Sequence, residues 1–97
     1  MKFFAIGNVI KPMSDEDRKR IMPGEVRDTL QLYLDGKIEQ FWIREDKPGV
    51  IFLINADSSE HAKKITDGLP LVPNGFLAFD IFPVGPLAPL GLLIQGK

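Results

Sequence analysis

The chain lacks cysteine altogether and carries one histidine, one tryptophan and one tyrosine in 97 residues. Without cysteine there are no disulfides, no thiolate catalysis and no cysteine-ligated zinc or iron–sulfur centre. A lone histidine among scattered carboxylates gives no metal-ligand spacing, so no metal is expected. Glycine-rich phosphate loops, a nucleophile elbow and a dinucleotide fingerprint are also missing, and any chemistry is expected to be cofactor-free acid–base work. No basic run is present: twelve Lys and Arg stand against thirteen Asp and Glu, for a net charge of −1. Nucleic acids and anionic membranes demand a concentrated positive patch, so neither is an expected partner. Long hydrophobic runs are lacking too. The first apolar run meets Gly7, Asn8 and Lys11 too soon for a signal sequence. The stretch 81–94 contains Pro83, Pro86 and Pro89 and falls short of the roughly 20 residues of a membrane span. A cytoplasmic location is the expectation.

What is present reads as one globular domain over residues 1–97, with 44% apolar and 26% charged residues and no repeat or linker. Residues 3–10, rich in aromatic and β-branched side chains, predict a first strand, stopped by Pro12. Ser14 predicts a helix N-cap, with Asp15, Glu16 and Asp17 placed against the positive end of the helix dipole. Pro23-Gly24 is expected to interrupt or restart that helix. Beyond it, Val26, Leu30, Tyr33 and Leu34 recur at helical spacing as an apolar stripe, and Gly36 suits the C-terminal cap. Residues 38–44 and 50–55 form a hairpin across the turn 46–49. Asp57-Ser58-Ser59-Glu60 has the reciprocal capping pattern of a second helix, whose buried stripe is Ala62, Ile65, Thr66 and Leu69. Pro70 and Pro73 close it, and residues 76–82 form the fourth strand. The order β-α-β-β-α-β predicts an α+β, ferredoxin-like domain with a four-stranded antiparallel sheet.

The strands are apolar on both faces. Phe4 and Ile6 oppose Phe3, Ala5 and Val9; Val50, Phe52 and Ile54 oppose Ile51 and Leu53; Phe76 and Phe82 oppose Leu77, Phe79 and Ile81. A sheet with one wet face alternates apolar and polar residues, and two helices cover only one face. The other is expected to pack against a second copy, because a bare patch would far exceed the few hundred Å2 that soluble monomers tolerate. A chain of this length buries only about two thirds of its unfolded surface, which makes self-association a natural remedy for a thin core. The apolar tail 85–97 is expected at a subunit interface.

Polar residues within these apolar elements are the candidates for function. Asp80 interrupts strand four on the face of Phe76, Ala78 and Phe82; partial desolvation would raise its pKa and suit it to proton shuttling, the alternative being a structural ion pair. Trp42 shares a strand face with Gln40 and Arg44, either lining a pocket for a small anionic or carbonyl compound or forming a subunit interface. Asn8 either binds a ligand or satisfies a strand end. His61 falls in the first turn of the second helix, as a general base or as a solvated side chain.

Taken along the chain, Gly36, Trp42, the strand Val50-Ile51-Phe52-Leu53, the helix start Glu60-His61-Ala62, the run Leu69-Pro70-Leu71-Val72-Pro73 and Asp80-Ile81 before an apolar tail resemble the muconolactone isomerase-like family of dimeric α+β barrels. The resemblance implies a cytoplasmic, cofactor-free isomerase of aromatic catabolism, assembled as a homodimer or a larger ring of dimers, that shifts a proton within a small unsaturated lactone. It places the pocket between helices and sheet. It implies Glu25 as the base, with Trp42 and Arg44 holding the substrate's carboxylate or carbonyl. Fold analogy alone also allows a cofactor-independent oxygenase or cyclase. A non-catalytic oligomer that binds a small molecule or has a structural role is the reading from a different class.

Overall fold

The computed structural model describes residues 1–86. Six elements follow in order: β1 (Lys2–Val9), α1 (Asp15–Leu34), β2 (Ile38–Ile43), β3 (Gly49–Asn55), α2 (Ser59–Asp67) and β4 (Leu77–Val84). The strands form one antiparallel sheet of order β2-β3-β1-β4. This is the expected α+β, ferredoxin-like arrangement. The tail beyond residue 86, expected at a subunit interface, lies outside the described residues.

Alternation divides the sheet into two faces. Phe3 and Ala5 of β1 stand beside Ile54 and Phe52 of β3 and, on the other side, Pro83 and Ile81 of β4. Phe3, Ala5, Phe52 and Ile54 form the core with Ile38 of β2 and with Ala62, Ile65 and Leu69 of the α2 region, and Ile81 packs against it. Gly7 makes room on this face: a Cβ there would stand 2.7 Å from the Phe79 ring, which is tilted against Phe52 with centroids 5.4 Å apart. The other face carries Phe4, Ile6, Ile51, Leu53, Trp42 and Phe82 with no element over it among the described residues. There the Phe4 ring pairs with Phe82 at 5.9 Å and with Trp42 at 6.3 Å.

Both helices start as the sequence predicts, with one correction. Ser14 caps α1 in a full capping box: its hydroxyl accepts from Asp17 N–H, and the Asp17 carboxylate accepts from Ser14 N–H. The cap of α2 is Ser58, whose hydroxyl accepts from His61 N–H; the reciprocal bond expected from Glu60 is replaced by Asp57 N–H donating to His61 Nδ1. Ala62, Ile65, Thr66 and Leu69 are buried as predicted. Helix α1 ends in a Schellman motif, Lys37 N–H to Leu32 and Gly36 N–H to Tyr33, with Gly36 at φ +78°.

Helix α1 departs from expectation twice. It runs unbroken through Pro23. Its predicted stripe is also not its buried face: Val26, Leu30, Tyr33 and Leu34 are exposed, whereas Ile21 and Glu25 are buried and Leu32 packs on the core. The inward arc runs 21, 25, 28, 32 and contains two acids, so hydrophobicity alone selected the neighbouring arc. In β4 the strand begins at Leu77, so Phe76, expected on Asp80's face, lies outside it and is buried. Pro83 sits in this edge strand, where a missing N–H costs no ladder bond to an outer neighbour. No helix among the described residues is long and apolar enough to cross a membrane.

Candidate functional site

Because α1 buries so little, its second and third turns stand away from the sheet and leave a cleft of about 980 Å3, at the upper end of the range for small-molecule sites. One wall is the helix face Met22, Glu25, Val26, Thr29 and Leu30. The other comes from Phe41, Ile43, Val50 and Phe52 of the sheet, and Leu71 and Phe76 close one end. The lining is almost wholly apolar. Its charged side chains are Lys11, Arg18 and Glu25.

Glu25 is the chemical centre of this cleft. It is 6% exposed, and its Oε1 accepts a hydrogen bond from the Leu71 backbone N–H at 2.9 Å. Burial raises its pKa above the usual carboxylate range; the Leu71 N–H works against that shift and the charge of Asp28 adds to it. Oε2 makes no hydrogen bond among the described residues, yet no fully buried side-chain oxygen is left unsatisfied, so Oε2 opens onto the cleft. A desolvated carboxylate with one oxygen anchored to backbone and the other facing an apolar cavity is equipped to take and return a proton.

The sequence-predicted residues separate into three places. Glu25 is in the cleft. Trp42 borders it, but its ring lies tilted against Phe4 on the open face. Asn8 and Arg44 meet at the cleft end of that face: Arg44 Nη1 donates to Asn8 Oδ1 at 3.2 Å, while Nε and Nη2 bind both oxygens of Asp46 at 2.9 and 2.6 Å. That fork lowers the Asp46 pKa and raises that of Arg44, and it ties the β2–β3 turn to β1. The turn also needs Gly49, where a Cβ would collide with the Gly7 carbonyl oxygen. Asp80 lies exposed on the open face opposite Ile6, without an ion-pair partner among the described residues. His61 is remote from the cleft, in a groove between α1 and α2 with Asp28, Lys37 and Lys64. No group of three His, Asp or Glu side chains able to hold a metal occurs among the described residues.

Sequence reasoning did not single out Lys11, Arg18, Thr29 or Phe76. Thr29 was findable: Met22, Glu25, Val26, Thr29 and Leu30 share one helix face by spacing alone. Lys11 lies outside the regular elements and carries no periodic signal, and Phe76 was read as part of the fourth strand, which begins one residue later.

The fold has close counterparts among solved structures. A crystal structure of muconolactone isomerase at 3.3 Å resolution superposes with a TM-score of 0.76, at 17% identity, over 90% of this chain and 91% of that one. The chain has the muconolactone isomerase fold. A second enzyme with this fold is 5-chloro-2-hydroxyhydroquinone dehydrochlorinase from Burkholderia phenoliruptrix AC1100, solved with 2,5-dihydroxybenzoquinone. It matches with a TM-score of 0.66 at 16% identity, over 89% of this chain and 96% of that one. The fold implied by the sequence resemblance is thus the one found. No family model and no curated protein sequence matches.

Proposed function

We propose that the chain is a cofactor-free isomerase of cytoplasmic aromatic catabolism, shifting a proton within a small unsaturated lactone or related carbonyl compound, with Glu25 as base. The observation that carries this reading is the buried Glu25 carboxylate, anchored by Leu71 N–H and open at Oε2 onto an apolar cleft. Ionised Glu25 takes the proton from the γ carbon of the substrate. The C–H electron pair delocalises through the double bond onto the carbonyl oxygen as a dienolate. The Glu25 carboxyl, which exchanges its proton with solvent through the open cleft, then delivers a proton to the α carbon, the double bond moves, and ionised Glu25 is regenerated. The Thr29 hydroxyl, one turn from Glu25 on the cleft wall, is the nearest neutral donor on this helix face for the dienolate oxygen.

The test is a proton NMR time course with muconolactone in D2O. Protein-dependent deuterium incorporation is expected, abolished in Glu25→Gln and retained in Asp80→Asn, because Asp80 lies on the other face of the sheet. Exchange that survives in Glu25→Gln removes Glu25 as the base. No exchange by wild-type protein removes this substrate.

The same reading includes self-association. Phe4, Ile6, Trp42, Ile51, Leu53 and Phe82 make an apolar centre of the uncovered sheet face, bordered by Asp80 and by Asn8 and Arg44, and a second copy of that face is its natural cover.

A further inference from the structure

We propose that Asp80 makes self-association through the open sheet face depend on pH, the second copy binding more tightly once Asp80 has taken up a proton. This rests on the self-association reading above and adds to it what regulates the contact.

The strand registers lay the open face out in rows. Phe82, Phe4, Leu53 and Gln40 stand side by side across β4, β1, β3 and β2, and the next row is Asp80, Ile6, Ile51 and Trp42. Asp80 is the only charged side chain in these two central rows. The other charges on this face lie at its ends, and each is matched within its own chain. At one end Lys2 binds the Glu39 carboxylate and Asn55 Oδ1. At the other, the Arg44 guanidinium holds both oxygens of Asp46 and the side chain of Asn8. Glu45 and Lys47, of opposite sign, are exposed in the same turn as Asp46. Asp80 is left as the one acid on the strands of this face without a cation among the described residues.

In the single chain Asp80 is exposed, and water solvates its charge. A second copy laid over Phe4, Ile6 and Phe82 removes that water. The same face serves both copies in such a contact, so two carboxylates are desolvated at once. Neither copy brings an unmatched cation to meet them, because Lys2 and Arg44 are already held by Glu39 and Asp46. Burial without a counter-charge disfavours the ionised form, so association draws protons onto Asp80 and tightens as pH falls. Asp80 lies on the edge strand β4, which keeps its desolvation partial. The ionised form therefore weakens the pairing at neutral pH without preventing it. Glu25 in the cleft and His61, the one histidine, lie on the helical side of the sheet and take no part.

The experiment is sedimentation equilibrium of the full chain at two pH values, with circular dichroism verifying the fold of each variant at both. Wild type is expected to dimerise roughly tenfold more tightly at about pH 5 than at about pH 7.5. Asp80→Asn should remove most of this difference and pair more tightly than wild type at the higher pH. His61→Gln should keep the wild-type dependence. A wild-type dimer of equal affinity at both pH values, or an undiminished dependence in Asp80→Asn, overturns the proposal. So does a weaker dimer in Asp80→Asn at the higher pH, which would mean that the charge is matched across the contact. A chain that stays monomeric at both pH values removes the self-association reading itself, whereas a dimer indifferent to pH leaves that reading intact and removes only the proton linkage.

Discussion

Glu25 concentrates the chemistry of this protein in a single side chain, and its placement sets opposing demands on stability and activity. Burial disfavours the ionised form, so its folded pKa lies above its unfolded one. A carboxyl shifted in that direction contributes stability below its unfolded pKa and loses it as pH rises through the folded pKa. At neutral pH the ionised group therefore weakens the fold. Glu25→Gln removes the charge and keeps an acceptor for Leu71 N–H, so its melting temperature at pH 7 is expected to exceed wild type by a few degrees. The gain should disappear on acidification below the carboxylate range. A variant less stable than wild type at pH 7 contradicts this account. Catalysis runs the other way: kcat/KM should rise with pH through the raised pKa of Glu25, above the range of an ordinary carboxylate. Glu25 is also where sequence reading reached furthest, but through resemblance; its own pattern, an acid on an inward helix arc, is the one a hydrophobicity count discards.

At the scale of elements, the feature that opens the cleft is α1, a 20-residue helix that buries two residues. Pro23 lies in its interior, where it denies the Lys19 carbonyl its usual donor and costs about 3 kcal/mol relative to alanine. Pro23→Ala is expected to raise the thermal midpoint. A fall instead would mean that the ring's packing beside Met22, Val26 and Arg27 outweighs the restored hydrogen bond. Much of the element order was legible in the sequence because caps, turns and alternation are local signals: Ser14, the turn at 46–49 and the stripe of α2 all fall where predicted. Alternation also placed Trp42 with Gln40 and apart from Phe41 and Ile43, but it missed the bulge between Ile38 and Gln40 that turns Ile38 to the core face. It says which residues share a face and nothing of which face the helices cover. That is why Trp42 was a site candidate from sequence, and why the structure sets its ring beside Phe4 instead.

At the scale of the whole molecule, the uncovered sheet face decides the state in solution. Phe4 lies at its centre, between Trp42 and Phe82. Sedimentation velocity is expected to find wild-type protein as a dimer or larger and Phe4→Asp as a monomer, since each face would then have to bury an unpaired carboxylate. Wild-type protein that sediments as a monomer at tens of micromolar would exclude this face as an interface. Both faces of the strands were predicted to be apolar, and they are; the standing-off of α1 was not, because it depends on how helix and sheet pack rather than on any local pattern.

The strand order has a consequence for how the chain comes to be folded. β1, apolar on both faces, lies inside the sheet between β3 and β4, but it precedes both of its partners in the chain. Its nearer partner is complete only at Asn55 and its other partner only at Val84. The hairpin β2–β3 pairs locally and early, whereas β1 must wait through loop closures spanning most of the chain, each with its entropic cost. During translation this sticky strand is thus made before either partner, with both edges unprotected until β3 follows and one edge until β4 does. The element that follows it directly is α1, whose first turn carries Asp15, Glu16 and Asp17, and like charges of that kind oppose association of neighbouring chains.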